Sequence, residues 1–376
     1  MDFQLSAEQS ARRDRVLRQV AEAFPAGRPP GFAREDWRTM GELGLLGTCL
    51  PAEYGGGGLG ALDTALVIEA FGRACTDTGL VFAASAHQFA CSVPVAAYGT
   101  DAVRKGRLPD LVSGAAVAGN AMTEPESGSD VSRLRVTARQ VPGGWVLDGT
   151  KSFVSNGPVC DLLVTYATSD PDLGHLGQTA FLVDASAPGV RRSGPFDKMG
   201  LWSCRAGSVD FEECFVPDEQ VLGRPGAGAA VFQASMGWER ACLFAGYVGL
   251  LDRLVERCVR FARERRQSGR PIGSFQAVSH RIVDMRLRLE GARLLLYRAC
   301  AEMDRGERAV LPVALAKLAV SEAAVAGALD AVRVFGGRGY LADDGIEAML
   351  RDSVPAVLFS GTSEMQKEIA ARELGL

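Results

Sequence analysis

A chain of 376 residues that is 47% hydrophobic can bury a large core and is long enough for two or three domains. Its net charge of −4 and its pI of 5.6 argue against a nucleic-acid-binding protein, because such proteins are usually basic. Nine cysteines without a CxxC pair and only three widely spaced histidines indicate reduced thiols in a cytoplasmic protein and argue against a metal site.

The first part of the chain, residues 1–118, is typical of a helical domain. Residues 6–24 show helical spacing behind Ser6, and Ala-rich segments with the same periodicity follow residue 60. The N-terminus is amphipathic and charged, with no apolar signal segment. The long apolar stretch 231–251 is interrupted by Glu239 and Arg240, so no membrane span is expected.

Residues 119–225 are expected to form a β-domain. Leu134, Val136 and Ala138 alternate with polar residues, which predicts a half-buried strand. Further strand-like segments, separated by turn residues, are GGWVLDGTKSFVSNG (143–157), DLLVTYAT (161–168), QTAFLVDA (178–185) and GSVDFEECFVP (207–217). A Gly- and Pro-rich hinge at 221–228 ends this domain.

Residues 226–376 return to helical periodicity. The predicted helices are 229–267, 276–305, 309–335 and a last one that begins at Ser363. Before that helix the loop 359–362 ends a strand-like apolar run, and Ser363 with Gln366 has the spacing of a reciprocal helix cap. Such a turn aims backbone N–H groups at whatever lies in front of it.

Glu239 is a candidate general base. It and Arg240 are the only charged residues between 231 and 251, so the helix is expected to be buried nearly all round. A buried carboxylate is unfavourable unless it is paired or functional, and burial raises its pKa toward the range in which a base works best. Neighbouring helical side chains point about 100° apart, so Arg240 cannot simply neutralise Glu239. The alternative is a structural ion pair with a distant arginine.

Several motifs in one order resemble the acyl-CoA dehydrogenase family. They are AMTEPESGSD (121–130), DGTKSFVSNG (148–157), DKMGLWSCRAGSVDFEECFVP (197–217), RRQSGRPIGSFQAVSHR (265–281), VFGGRGY (334–340) and RDSVPAVLFSGTSEMQ (351–366). The resemblance implies an α+β multidomain fold with an N-terminal helical domain, a middle β-barrel domain and a C-terminal four-helix bundle. It also implies non-covalent FAD and a homotetramer.

The resemblance further implies a set of cofactor-binding residues. Met122, Thr123, Gly128 and Ser129 would lie along the flavin ring, and Phe153 and Ser155 would contact it where the family more often has Trp and Thr. Thr362 and Glu364 would lie at the pyrophosphate and adenosine end of the same FAD. Residues that would reach the FAD of a neighbouring subunit are Arg265, Gln276, Arg333 and Gly337. Two departures are Ser268 at a usual Phe position and Arg333 at a usual Gln position.

In many acyl-CoA dehydrogenases a Glu immediately before the Gly-Thr of the final loop removes the α-proton, but here that position is Ser360. A minority branch similar to isovaleryl-CoA dehydrogenase supplies the base from a helix, and the matching residue is Glu239. Ser360 would then keep only a backbone role, with its N–H in an oxyanion hole. Arg240 would orient the loop or the thioester arm.

A closer resemblance, at residues 75–91, 236–246 and 345–374, is to the prolyl-carrier-protein dehydrogenases of natural-product pathways. It implies oxidation of an L-prolyl thioester on a peptidyl carrier protein. Trp238, Phe359, Met122 and Phe244 are bulky enough to shorten an acyl pocket, although ordinary core packing explains them equally well. The alternatives are a short branched-chain acyl-CoA dehydrogenase, a non-redox scaffold and a Ser360-dependent hydrolase without a recognisable His/Asp set.

Overall fold

A computed structural model describes residues 4–376, and its N-terminal part is helical as predicted. Ser6 caps the first helix by the reciprocal pattern: its hydroxyl accepts from the Gln9 N–H at 3.1 Å, and the Gln9 side chain accepts from the Ser6 N–H at 3.0 Å. The helices are α1 (Ala7–Ala23), α2 (Arg34–Glu42), α3 (Ala61–Ala74), α4 (Thr78–Ser85), α5 (Val93–Tyr98) and α6 (Asp101–Ser113). A π-helical segment, Ala86–Ser92, joins α4 to α5.

The middle of the chain forms one curled sheet. Its strands are β1 (Ala118–Ala121), β2 (Thr137–Val141), β3 (Gly144–Ser155), β4 (Leu162–Thr168), β5 (Gln178–Asp184), β6 (Val190–Arg192), β7 (Ala206–Pro217) and β8 (Val221–Leu222). The order is β6-β7-β3-β1-β4-β5-β8, and β2 pairs with both β3 and β4. Since β1 and β2 each bridge β3 to β4, the sheet turns back on itself. Burial alternates from Leu134 as predicted, although the ladder begins only at Thr137.

The C-terminal part is a helical bundle. Its elements are α7 (Gly228–Trp238), α8 (Ala245–Glu264), the hairpin strands β9 (Arg266–Gln267) and β10 (Arg270–Pro271), α9 (Gln276–Asp304), α10 (Val310–Phe335), α11 (Gly337–Tyr340), α12 (Ile346–Ser353) and α13 (Ser363–Glu373). The predicted helices 276–305 and 309–335 agree with α9 and α10 to within a residue. Packing of α8 and α9 against α3 joins the bundle to the N-terminal helices in one core.

The single helix predicted at 229–267 is wrong. A π-helical segment, Glu239–Leu243, separates α7 from α8, and α8 already ends at Glu264. Such π-bulges are rare and frequently occur at functional sites. Here the bulge begins at the candidate base.

The loop before α13 also differs from the prediction. Its apolar run does not form a strand, because Val354–Val357 is a short 3₁₀ turn. The helix cap is Thr362, whose hydroxyl accepts from the Met365 N–H at 3.2 Å, and not Ser363. Gln366 instead turns its amide toward the loop.

Two helical stretches have the length and composition of membrane spans, Thr78–Tyr98 and Val310–Phe335. The first carries no Asp, Glu, Lys or Arg. Its uninterrupted uncharged run is therefore longer than any within residues 231–251, where Glu239 and Arg240 lie. In their apolar windows 83% and 50% of the residues are buried inside the protein itself, and core helices meet the same criteria.

Candidate active site

Glu239 lies almost fully buried at the start of the second π-helical segment, with 6% of its surface exposed. Its Oε1 accepts a hydrogen bond from the Ser360 hydroxyl. Its Oε2 is buried and has no hydrogen-bond partner within residues 4–376. Burial raises the pKa of Glu239, and the bond from Ser360 opposes that rise. The carboxyl group therefore has one fixed oxygen and one free oxygen.

This geometry corrects one expectation and weakens another. The prediction that Ser360 contributes only its backbone is wrong, because its side chain is bonded to Glu239. Glu239 also forms no ion pair in the part of the chain that the structure describes, so the proposed structural pair with a distant arginine is not found.

Two side chains donate hydrogen bonds to the carbonyl of Ser360. Arg240 Nε donates to the Ser360 carbonyl at 3.0 Å, and Gln366 Nε2 donates to the carbonyls of Ser360 and Gly361 at 3.2 and 3.1 Å. Ser360 adopts a left-handed conformation with φ of 55°, which a non-glycine residue occupies only when its surroundings enforce it. Its N–H has no acceptor within residues 4–376. Ser360 thus has an unpaired N–H within the described residues, while its hydroxyl is hydrogen-bonded to Glu239.

Aromatic rings surround Phe359 next to this loop. The ring centroids of Phe82, Phe244 and Tyr247 lie 4.5, 5.4 and 6.1 Å from that of Phe359. Trp238, the last residue of α7, is half-buried against the same core. Phe82, Phe244 and Tyr247 are buried, so Phe359 anchors the loop to the core. Phe82 and Tyr247 were not singled out from the sequence because they lie far from Phe359 along the chain.

The strand side of the site centres on Phe153. A register irregularity between Lys151 and Val154 interrupts the pairing of β3 with β7, and within it Phe153 has φ of 54°. Phe153 is 68% exposed, and its ring meets that of Phe196 in a T-shaped arrangement, at 5.4 Å between centroids. Ser155 follows at the end of β3. An aromatic ring exposed in this way can stack on a planar ligand.

Met122 and Thr123 leave the end of β1 beside β3. The Met122 side chain is buried, and the Thr123 carbonyl accepts from the Ser152 N–H at 2.8 Å. Gly128 and Ser129 are exposed in the loop that follows, and a Cβ added at Gly128 would meet nothing within 4 Å. The space in front of Gly128 is therefore open.

A buried ion pair supports this segment and was missed in the sequence analysis. Lys151 Nζ donates to Glu124 Oε1 at 2.8 Å and to the Met122 carbonyl at 2.9 Å, with both side chains almost completely buried. The Glu124 carboxylate also accepts from the N–H groups of Arg135 and Val136, at 2.5 and 3.0 Å. A lysine within the strand-like segment 143–157 was the available signal.

The residues assigned to a neighbour's cofactor lie together at one end of the bundle. Phe261 of α8 stacks on Phe335 of α10 at 4.1 Å, which brings the ends of these two helices together. The exposed residues at this end are Arg265, Gln276, Arg333 and Gly337. Arg333 pairs with Asp330 at 3.3 Å, and Ser268 adopts φ of 47° in the β9–β10 turn. Thr362 and the exposed Glu364 lie apart from them, at the start of α13.

FAD fits the residues present. The exposed Phe153 ring provides an aromatic face, the Ser360 N–H is an unused donor, and the N-terminus of α13 is a favourable place for phosphate.

No group of three or more His, Cys, Asp and Glu side chains in residues 4–376 is arranged to hold a metal ion.

Comparison with known proteins agrees with this fold. The N-terminal, middle and C-terminal domains of acyl-CoA dehydrogenases match residues 6–115, 119–214 and 226–375. The chain therefore belongs to the acyl-CoA dehydrogenase family, a family of FAD-dependent oxidoreductases, which confirms the predicted fold class, enzyme class and cofactor.

Individual relatives are similar over the whole chain. An L-prolyl-[peptidyl-carrier protein] dehydrogenase from Pseudomonas fluorescens is 53% identical, with 100% of each chain covered. The structure of PigA with FAD and proline superimposes with a TM-score of 0.97 at 40% identity, again with 100% of each chain covered. Isovaleryl-CoA dehydrogenase from Oryza sativa subsp. japonica is 36% identical over 90% of this chain and 82% of its own.

Proposed function

We propose that this protein oxidises an aminoacyl thioester tethered to a peptidyl carrier protein, converting L-prolyl to pyrrole-2-carboxyl thioester in a pathway for a pyrrole-containing antibiotic. The observation that carries the proposal is the buried Glu239 carboxyl group, whose Oε1 is held by the Ser360 hydroxyl and whose Oε2 has no hydrogen-bond partner within residues 4–376. The substrate is proposed from full-length similarity to an L-prolyl-[peptidyl-carrier protein] dehydrogenase.

In the proposed reaction Glu239 Oε2 removes the α-proton of the thioester. Bound FAD supplies the hydride acceptor. The Ser360 N–H donates to the thioester oxygen as negative charge develops there, an interaction typically worth a few kcal/mol. Ser360 Oγ holds Oε1, while Arg240 and Gln366 hold the Ser360 carbonyl, so the donor and the base keep a fixed relation. Re-oxidation of the flavin by molecular oxygen would restore the acceptor, and a second two-electron oxidation of the ring by the same FAD would then complete the aromatic ring.

The same proposal assigns the remaining residues. Trp238, Arg240 and Phe359 contact the substrate. Met122, Thr123, Gly128, Ser129, Phe153 and Ser155 line the flavin end of the cofactor. Thr362 and Glu364 line its pyrophosphate and adenosine end. The residues reaching the FAD of a neighbouring subunit are Arg265, Gln276, Arg333 and Gly337. The domain limits are 1–118, 119–225 and 226–376.

A second candidate function is a short branched-chain acyl-CoA dehydrogenase that uses the same base. It is favoured by the similarity to isovaleryl-CoA dehydrogenase, a protein named for a branched five-carbon acyl group on CoA. The two candidates share Glu239 and FAD and differ in the acyl group and its carrier.

Anaerobic bleaching of the flavin separates the two candidates. L-Prolyl-carrier protein should bleach the FAD rapidly, whereas isovaleryl-CoA should leave it oxidised, because the chain is 53% identical to an L-prolyl-[peptidyl-carrier protein] dehydrogenase and 36% identical to isovaleryl-CoA dehydrogenase. The measurement is stopped-flow absorbance with each substrate alone. Free L-proline and unloaded carrier protein are the controls. Bleaching by isovaleryl-CoA alone would contradict the prolyl substrate and support the second candidate function.

We also propose a cytoplasmic homotetramer. Val283, Leu287 and Leu294 recur at helical spacing on α9 and are 64%, 70% and 47% exposed, an apolar row that a partner subunit would cover. Contact with a neighbour would also complete the exposed end of the bundle that carries Arg265 and Arg333.

Leu287→Asp should therefore break the assembly, because it would place a charge in the buried row. Sedimentation velocity should show a tetramer for the original protein and smaller species for the variant. Leu173→Asp, at a leucine 57% exposed between β4 and β5, is the matched control and should remain tetrameric. A monomeric original protein would contradict the proposal.

A further inference from the structure

Lys317 is a fully buried lysine that the proposed reaction does not use. It lies on α10, and its Nζ donates to the Ala356 carbonyl at 3.0 Å and lies 5.1 Å from the centroid of the Phe244 ring. No carboxylate lies within 4.0 Å of it in residues 4–376. A buried ammonium without a contacting counter-ion is unfavourable, which calls for a compensating charge nearby.

Its two contacts lead to the active-site loop. Ala356 belongs to the 3₁₀ turn that runs into Phe359 and Ser360. Phe244, over which the ammonium lies, packs its ring 5.4 Å from Phe359. From the interior of the bundle, Lys317 thus holds the turn that precedes Phe359 and Ser360.

Glu239 is the buried group of opposite sign in the same region, and it too has no ion pair at contact distance. The positive charges of Arg240 and Lys317 both oppose the effect of burial on the pKa of Glu239. Burial lowers the pKa of Lys317 to about 8, so the side chain is still mainly protonated at neutral pH.

We propose that Lys317 is a positioning residue whose buried ammonium holds the turn before Ser360 and, together with Arg240, supplies positive charge that favours the ionised Glu239 carboxylate. The proposal rests on the proposed function in taking Glu239 as the base.

Other charged groups face this pair. Glu322 accepts from the Ser363 hydroxyl at 2.6 Å, and both Glu322 and Glu364 are exposed at the surface. Arg240 donates to the neutral Ser360 carbonyl, so it keeps its positive charge and acts on Glu239 together with Lys317. The remaining titratable groups near Glu239 are Cys91 of the first π-helical segment and Tyr166 of β4, whose pKa values burial raises, so both are neutral at the pH of interest.

The test measures the protonation of Glu239 without any substrate. Infrared spectra of the FAD-loaded protein across pH, minus those of Glu239→Gln, isolate the C=O stretch of the protonated Glu239 carboxyl. In Lys317→Met the pH at which this band disappears should rise by at least about half a unit, a threefold change in the protonation equilibrium. Lys317→Gln keeps a donor for Ala356 but has no charge, so it should show the same rise.

Lys367→Met, at an exposed lysine on α13, is the matched control and should leave the midpoint unchanged. An unchanged midpoint in both Lys317 variants, or an equal rise in Lys367→Met, would overturn the proposal. If Lys317→Met does not fold, Lys317→Gln decides alone. Because no substrate is used, failure of every acyl substrate to bleach the flavin would refute the proposed function without affecting this result.

Discussion

Glu239→Gln should slow reduction of the flavin by L-prolyl-carrier protein by about a thousandfold, within the range that general bases contribute. Glutamine has the same shape and can still accept from the Ser360 hydroxyl, but it has no basic oxygen to take the α-proton. The FAD content and the melting temperature should therefore remain close to those of the original protein. The measurement is anaerobic stopped-flow reduction under single-turnover conditions.

Glu368→Gln, at an exposed position on α13, is the control for the amide substitution itself and should reduce at the original rate. Reduction of Glu239→Gln at an undiminished rate would mean that the base is another residue. Dithionite should bleach both variants equally, because that reaction needs no general base.

The pH dependence of flavin reduction in Ser360→Ala should show how the Ser360 hydroxyl affects the pKa of Glu239. The Ser360 hydroxyl bond lowers the pKa of Glu239, so its removal raises that pKa further above the usual value. Since only the ionised carboxylate removes a proton, the acid limb of the reduction rate should move to higher pH, with most activity recovered at high pH. A uniform loss at all pH values would indicate displacement of the Ser360 N–H instead.

The regular elements could be predicted from the sequence because their patterns are local. Helical periodicity of the apolar residues at 276–305 and 309–335 predicted α9 and α10. Alternation of apolar and polar residues predicted strands in the middle domain. The π-helical segment at Glu239–Leu243 could not be seen in this way, since one inserted residue in a helix that is apolar on all sides leaves its periodicity unchanged.

The same distinction holds for the site. Glu239 stood out because a charge in a long apolar run is conspicuous. Its bond to Ser360 joins residues 121 positions apart, and no local pattern reports such a contact. Gln366 was noticed for its spacing, but the sequence pointed to a helix cap, whereas the structure gives it two loop carbonyls. Which partner a polar side chain selects is decided by tertiary packing, which local spacing does not encode.

Glu124→Gln should destabilise the FAD-loaded protein by about 3–5 kcal/mol, because it leaves the buried Lys151 charged with only neutral acceptors as partners. Glutamine has one acceptor oxygen where the carboxylate has two, so one of the N–H groups of Arg135 and Val136 loses its partner as well. The Met122–Thr123 segment is then less firmly held, and affinity for FAD should fall with stability. Urea unfolding and FAD titration by flavin fluorescence measure the two effects.

The double variant Glu124→Gln/Lys151→Met decides whether the charge imbalance is the cause. Methionine fills the lysine's volume without a charge, so the double variant should recover much of the stability lost in Glu124→Gln. Lys151→Met alone leaves the carboxylate with its two backbone donors and should be less harmful than Glu124→Gln. Arg139→Met, whose exposed side chain meets Glu213 at 3.3 Å, is the matched surface pair and should change stability by less than about 1 kcal/mol. If the double variant were as unstable as the sum of its single changes, the support of the Met122–Thr123 segment would come from packing and not from the ion pair.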